Sequence, residues 1–281
     1  MPDPTRLLTL LRQATILTRA TPGRQGQLIH LHDVDDVLIL GDLHGHMGNL
    51  AAALKKAQLE RFPRRHLIVQ ELIHGVFRYP DGSDKSHQAV DVWAALKCQF
   101  PQRVHYLPGN HELAQWTNRA IAKGDFDLNA SFLDGVRFAY GGHGNEIYAA
   151  YCELFRSLPI AIRLPNRVLV CHTLPTPRDQ AQCDWERLQR LEPEAADVQP
   201  GGPIYALCWG RDVSPSNAEQ FIQRMDVDWV ISGHIPCEAG FAHPNPWQLI
   251  LDSQGAPAAV CLCPAQCPMT RDDLLACVNM I

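Results

Sequence analysis

The sequence predicts an α/β fold in which strands alternate with helices and deliver polar side chains at their carboxyl ends. Three observations predict it. Apolar runs of strand length recur, such as Val37-Leu38-Ile39-Leu40 and Val168-Leu169-Val170-Cys171. Segments with helical spacing of apolar residues separate several of these runs. Glycine turns close the strands, as in Gly41-Asp42-Leu43-His44-Gly45 and Leu107-Pro108-Gly109-Asn110-His111-Glu112. This alternation implies βαβ crossovers and a largely parallel sheet, with ligands held at the carboxyl edge.

The elements follow in order. Leu7, Leu8 and Leu11 recur at helical spacing and predict a helix over residues 5–17. A strand is expected over 27–32, a polar turn over 33–36, and a buried strand over 37–40. The first glycine turn leads into a helix over 49–58. The next unit repeats the pattern, with a strand over 66–69, a Gly/Pro/Asp-bearing loop over 75–84 and a helix over 87–98. A strand over 104–107 ends at the Gly109 turn. Residues 110–145 read as irregular and 146–157 as helical. Later strands are expected over 161–163, 168–171, 229–232 and 247–252, with a helix over 217–224. Residues 179–202 are polar and carry Pro and Gly, so they read as a surface excursion over the site. No repeat or break in composition divides the chain, and one domain over 1–281 is expected.

Bulk properties exclude several classes. The chain is 46% hydrophobic and 20% charged, as an ordinary globule is, and its net charge of −5 disfavours nucleic acid or an anionic membrane as partner. No apolar run approaches a membrane span. Residues 1–12 lack an apolar signal core, so cytoplasmic residence is the expectation. The ten cysteines are scattered and read as reduced, buried small side chains. Cys261, Cys263 and Cys267, with Cys277 beyond, form a cluster in a C-terminal tail that can be imagined to seat zinc. Cys261 and Cys263, however, alternate with Val260 and Leu262 as one face of a strand does.

Metal-competent side chains recur at strand ends. Asp42 and His44 follow the first strand, Glu71 the second, and Asn110 and His111 the third. His172 and His234 end two later strands, the second after Gly233, which permits close backbone approach. A lone histidine is most often a satisfied core or surface residue. Five strand ends carrying such donors point to a two-metal hydrolytic centre that clamps attacking and leaving oxygens. His46 reads either as facing the substrate or as a solvent-facing turn residue, His143 lies in the glycine-rich loop Gly141-Gly142-His143-Gly144 where a site role is the lesser reading, and Trp185, Trp209, Trp229 and Trp247 read as packing residues.

On these residues the chain resembles the calcineurin-like metallophosphoesterases, and within them the phosphoprotein phosphatase branch. The resemblance covers roughly residues 28–252. It rests on Gly41–Gly45, Leu107–Glu112, Leu158-Pro159-Ile160-Ala161 leading to His172, Trp209-Gly210-Arg211-Asp212-Val213-Ser214, and Ser232-Gly233-His234. It implies a central β-sandwich flanked by helices and two divalent ions, manganese or a mixture of iron, zinc and manganese. Asp42 and His44 would hold one ion, Asn110, His172 and His234 the other, and Glu71 would bridge them. His111 would protonate the leaving oxygen or orient the nucleophile, a metal-bridging hydroxide. Arg211 would clamp the phosphate through its planar fork. The implied substrate is a phosphoserine or phosphothreonine protein, or a small phosphoester. Dinucleoside polyphosphate hydrolysis is the alternative chemistry, since such enzymes share the first and third motifs.

The middle motif departs from the family's Gly-Asp-x-x-Asp-Arg-Gly, reading Gln70-Glu71-Leu72-Ile73-His74-Gly75. Glu71 is one methylene longer than the expected bridge. His74 replaces the aspartate that would orient His111; a neutral imidazole can accept a hydrogen bond but does not stabilise an imidazolium as a carboxylate does. Gly75 removes a phosphate-clamping arginine, for which Arg78 or Lys85 is the candidate replacement. Two readings follow: an active site with altered details, or a metal-binding pseudo-phosphatase without turnover.

Overall fold

The computed structural model describes residues 3–124 and 126–281. Asp3 caps helix α1 (Pro4–Arg19) by accepting from the Arg6 amide at 2.9 Å, and Leu7, Leu8 and Leu11 make its buried stripe. Strands β1 (Arg24–Gln25), β2 (Leu28–His30) and β3 (Asp36–Asp42) follow. Next come α2 (Met47–Ala57), β4 (Arg65–Gln70), α3 (His87–Gln99), β5 (Val104–Leu107) and α4 (Asn110–Thr117). A short hairpin of β6 (Ala122–Lys123) and β7 (Phe126–Asp127) precedes α5 (Leu128–Tyr140) and α6 (Gly144–Ser157). The second half holds β8 (Ala161–Arg163), β9 (Val168–Cys171), α7 (Pro177–Gln182), α8 (Pro203–Trp209), α9 (Pro215–Met225) and β10 (Trp229–Ser232). It ends with β11 (Phe241–Asn245), β12 (Gln248–Leu251), β13 (Ala259–Pro264), α10 (Arg271–Ala276) and β14 (Val278–Met280).

The strands form two packed sheets, in the orders β1-β2-β8-β9-β10-β12-β11 and β14-β13-β3-β4-β5. Strand alternation builds the layers. On β3, Val37 and Ile39 point into the core between the sheets, where they meet Val168, Val170, Ile231 and Leu249. Leu38 and Leu40 point the other way and pack under the helices with Leu50, Trp93, Phe132 and Tyr151. A third core, with Leu169, Val230, Leu207 and Phe221, covers the outer face of the seven-stranded sheet. The result is a β-sandwich with helices on both sides.

Both sheets are mixed rather than largely parallel. The ligand-bearing neighbours are parallel, β3 with β4, β4 with β5, and β9 with β10. In contrast, β13 runs antiparallel to β3 and to β14, and β8 antiparallel to β9. Parallel pairing within each sheet is what brings the strand ends to one edge.

Several expected segments differ. Residues 110–145 hold α4 and α5 rather than irregular chain. Asp127 caps α5 by accepting from the Ala130 amide at 3.0 Å, and Leu128, Phe132 and Val136 lie four residues apart on its buried face. Residues 179–202 are not simply a solvated excursion, because Leu188 and Val198 are buried in the third core and Cys183 is buried too. The cysteine segment is no tail either: Cys261 and Cys263 sit on β13, paired with Ile39 and Val37 of β3, and both point into the core between the sheets. Cys267 is exposed, and among the described residues no cysteine joins a metal-competent group. Nor is any helix there long and apolar enough to cross a membrane.

At the edge opposite the motifs, His66 and His105 share a hydrogen bond at 3.0 Å with their rings stacked. Burial lowers the His66 pKa to about 4 and holds His105 well below its ordinary value. A depressed histidine pKa contributes stability that is complete above about pH 6.5 and lost as the pH falls through the folded-state value. The stability gap between wild type and His105→Phe, read by urea unfolding, is therefore expected to narrow from pH 7 to pH 5. A gap that stays constant would contradict this account.

Candidate active site

Five strand ends converge, and close backbone approach is what brings them together. A Cβ on Gly41 would stand 1.9 Å from the Leu251 carbonyl, so only glycine lets β3 pass β12 at its bulge. Beyond it, the amides of Leu43 and His44 both donate to the Glu71 carbonyl, at 3.1 and 3.0 Å. The first motif is thereby tied to the second. The buried Glu112 carboxylate ties the second to the third: it accepts from the amides of Leu72, Ile73 and Gly109 and from the Tyr106 hydroxyl, at 2.9, 3.1, 2.8 and 2.5 Å. Across the sandwich, the His234 amide donates to Asp42 Oδ2 at 2.8 Å. His44, Glu71, His74 and His234 all hold positive φ, between 38° and 69°. Left-handed backbone at four non-glycine residues stores strain that these hydrogen bonds must hold in place.

The donors surround Glu71. Its carboxylate lies 3.4 Å from His44 Nε2 and 3.7 Å from His172 Nε2, and His172 Nδ1 lies 3.5 Å from Asp42 Oδ1. His172 Nε2 and His234 Nδ1 are 2.9 Å apart. Two groups, His44–Glu71–His111 and Glu71–His172–His234, each present donor atoms within 4.8 Å of one another. Asp42 Oδ1, His172 Nδ1 and His234 Nε2 are buried without a hydrogen-bond partner. Buried polar atoms are normally paired. Orphaned carboxylate and imidazole donors, with the Asn110 amide beside them in the cavity wall, fit divalent metal ions. His44 donates Nδ1–H to the Ile73 carbonyl at 2.8 Å, which leaves Nε2 as the free donor atom.

Burial dominates the electrostatics. It raises the Asp42 pKa well above the usual carboxylate range, reinforced by Glu71, and raises Glu71, reinforced by Glu112. It holds His111 and His172 well below the ordinary histidine value, with neighbouring imidazoles adding to the effect. His234 falls to about 3 through burial and the nearby Arg211 charge. Concentrated buried charge of this kind is a feature of functional centres.

Each departure in the middle motif has a structural counterpart. The longer Glu71 fits because Gly109 has no side chain: a Cβ there would lie 2.1 Å from Glu71 Oε1, which accepts from the His111 amide at 3.0 Å. Gly75 is required by contact, since a Cβ there would lie 1.9 Å from the His44 carbonyl. His74 Nδ1 meets His111 Nδ1 at 2.7 Å, so the ring does take the aspartate's place beside His111. Burial lowers its pKa to about 3 and keeps it neutral.

These groups open into a cavity of about 740 Å³. Asp42, His44, Glu71, His74, Asn110, His111, Arg211 and His234 line it, and His172 stands behind Asp42. Arg211 donates to the His234 carbonyl at 3.3 Å. Arg78 also lines the cavity, with its guanidinium bonded to Ser131 Oγ at 2.8 Å and 4.0 Å from Asp84. Lys85 instead lies over the Tyr79 ring. His46 caps α2, accepting from the Asn49 amide, and the exposed His143 is not among the lining residues. Trp209 lines the cavity while stacking on Tyr205. Sequence reasoning missed Lys123 and Asp252 in the cavity wall, and Gln115 behind His74. Asp252 follows its apolar strand as the other donors follow theirs, so that pattern could have found it. Nothing local marks Lys123 or Gln115.

A fold with two mixed sheets and donors at one sandwich edge defines the metallophosphoesterase class. The calcineurin-like phosphoesterase family model matches residues 36–238, and the chain belongs to that family. A probable serine/threonine-protein phosphatase of Encephalitozoon cuniculi is 28% identical over 231 residues, covering 76% of this chain and 45% of that protein. Serine/threonine-protein phosphatase 7 of Arabidopsis thaliana is 24% identical over 188 residues, covering 63% and 41%. The chain thus spans less than half the length of these curated relatives. Among solved structures, a protein serine/threonine phosphatase from Saccharomyces cerevisiae superposes with a TM-score of 0.72 at 15% identity, covering 100% of this chain and 89% of that one. A cold-active protein-tyrosine phosphatase of a psychrophilic Shewanella gives 0.59 at 16% identity, covering 89% and 80%.

Gly109→Ala is expected to push Glu71 off its position and weaken manganese binding by about 10–100-fold, measured by calorimetric titration. Unchanged affinity in the folded variant would mean Glu71 is not a ligand.

Proposed function

We propose that this protein hydrolyses phosphomonoesters with two divalent ions, manganese or an iron, zinc and manganese mixture, and that its substrates are phosphoserine or phosphothreonine proteins. The observation that carries the reading is the convergence of orphaned buried donors around Glu71 in a cavity that Arg211 also lines. Asp42, His44 and Glu71 would hold one ion, and Glu71, Asn110, His172 and His234 the other. When bound, such ions lower the pKa of water and neutralise phosphoryl charge. Arg211 presents its planar fork to the phosphate oxygens, and Arg78 adds positive charge at the cavity wall. His111 handles the proton of the attacking water or of the leaving oxygen. Direct attack by water needs no covalent enzyme intermediate, and the proposal includes none.

The names of the Encephalitozoon and Arabidopsis relatives favour the phosphoprotein substrate. A second reading has a specific observation behind it. The charge that the middle motif lost at His74 and Gly75 favours a metal-binding protein without turnover. Three cationic side chains in the cavity wall, Arg78, Lys123 and Arg211, favour the enzyme. Cytoplasmic residence remains part of the proposal.

Manganese-loaded protein is expected to turn over 4-nitrophenyl phosphate, and a chelator to abolish the rate. His111→Ala should lose about 10²–10⁴-fold in kcat while binding manganese as wild type does. Comparing a phosphopeptide with diadenosine tetraphosphate then separates protein phosphatase from nucleotide hydrolase. Metal binding without turnover on any of these would overturn the enzymatic reading.

A further inference from the structure

His74 is held on both sides. Its Nδ1 faces His111 Nδ1 at 2.7 Å, and its Nε2 faces Gln115 Oε1 at 2.8 Å. The Gln115 amide nitrogen lies 2.8 Å from the Tyr148 hydroxyl and 3.4 Å from the Asn129 carbonyl. A backbone carbonyl only accepts, so the nitrogen must face Asn129 and the oxygen must face His74. His74 therefore donates from Nε2. As a buried neutral ring it has no second proton, and its Nδ1 is an acceptor.

Only one proton can lie between the two facing Nδ1 atoms. It belongs to His111, which donates it to His74. In the neutral His111 ring the nitrogen left without a proton is Nε2, on a ring that lines the cavity 5.0 Å, centroid to centroid, from His44. We infer that Gln115, oriented by Asn129 and Tyr148, acts through His74 to fix the tautomer of His111, so that His111 presents a bare Nε2 as a proton acceptor to the site. Gln115 is thus a positioning residue. In the phosphoesterase proposed above, on which the catalytic part of this inference rests, a proton of the attacking water passes to His111 Nε2. Its oxygen bonds to phosphorus, the bond from phosphorus to the leaving oxygen breaks, and the proton passes on from His111 Nε2 to that oxygen, which departs as the alcohol and leaves His111 as it began. A neutral His74 does the orienting work of the aspartate but supplies no charge that would store the proton on His111 beforehand. The chain's replacement of that aspartate by histidine then has a defined consequence: the ring that orients His111 is itself oriented by Gln115 from α4.

The test is long-range proton–nitrogen NMR on the full chain, labelled with ¹⁵N-histidine and loaded with zinc, which is diamagnetic. The thirteen histidines are assigned with the help of His74→Gln and His111→Gln. The expected result is a proton on His111 Nδ1 and none on Nε2, with the reverse pattern at His74. Gln115→Met removes the acceptor and should scramble or invert both tautomers, and lower kcat on 4-nitrophenyl phosphate by at least tenfold with metal content unchanged. Thermal unfolding of each variant separates lost positioning from lost fold. A proton on His111 Nε2 in wild type overturns the inference without recourse to any variant. So does an unaltered His111 tautomer in folded Gln115→Met. The NMR result does not depend on turnover: predicted tautomers in a protein that hydrolyses nothing would sink the phosphatase reading alone, and turnover with the opposite tautomers would sink the relay alone.

Discussion

The Glu112 carboxylate is the interaction on which the site depends. It is completely buried and accepts four hydrogen bonds, from two amides of the Glu71–His74 turn, from the Gly109 amide and from the Tyr106 hydroxyl. A buried carboxylate is tolerated only when its lone pairs are satisfied. The chain therefore cannot relax either turn without stranding charge. This one group holds the left-handed backbone at Glu71 and His74 and sets the distance between the second and third motifs. It also raises the Glu71 pKa from close range, so the scaffold that positions the donors makes them reluctant to hold charge alone. Divalent ions would relieve that reluctance.

The altered middle motif is a coordinated set rather than isolated losses. Glu71 is longer than the family's aspartate, and its extra reach lies over Gly109. Gly75 replaces an arginine, and the His44 carbonyl occupies the space where any side chain would begin. His74 replaces an aspartate, and Gln115 on α4 meets the nitrogen that His111 does not use. In each case the partner comes from a different strand end or helix. Random decay would leave buried polar atoms stranded at the exchanged positions, yet both ring nitrogens of His74 and Glu71 Oε1 are paired.

Much of the site was legible because its signals are local. An apolar run and a metal-competent side chain lie within seven or so residues of one another at five strand ends, three of them marked by glycine at Gly41, Gly109 and Gly233, and all five lead to the same edge of the fold. Asp42, His44, Glu71, Asn110, His111, His172, His234 and Arg211 were all readable this way or through the resemblance it supports. The strand over 259–264 was legible only in part: Cys261 and Cys263 alternate with Val260 and Leu262 as a strand face does, but among its cysteines and prolines the segment looked like a tail. It is a strand because β3 offers it an open edge and the core between the sheets takes Cys261 and Cys263. Helix α5 was missed for a different reason. Its glycine and polar residues hide a regular apolar spacing, and what stabilises it is packing against α6 and α3 rather than propensity.

By itself, the amino-acid sequence determined the chemistry: which donors exist, that they end strands, and that the chain carries the calcineurin-like pattern with an unusual middle motif. These follow from short-range covalent order, since a strand, its turn and its ligand are neighbours along the chain. Tertiary structure decided how the two sheets divide the strands and which residues stand behind the ligands. Gln115 meets His74 across 41 residues, and Asp42 meets the His234 amide across 192. Such contacts exist only once the sandwich has closed. They govern how the donors of the first, second and third motifs are held, and with them the orientation of the His111 ring.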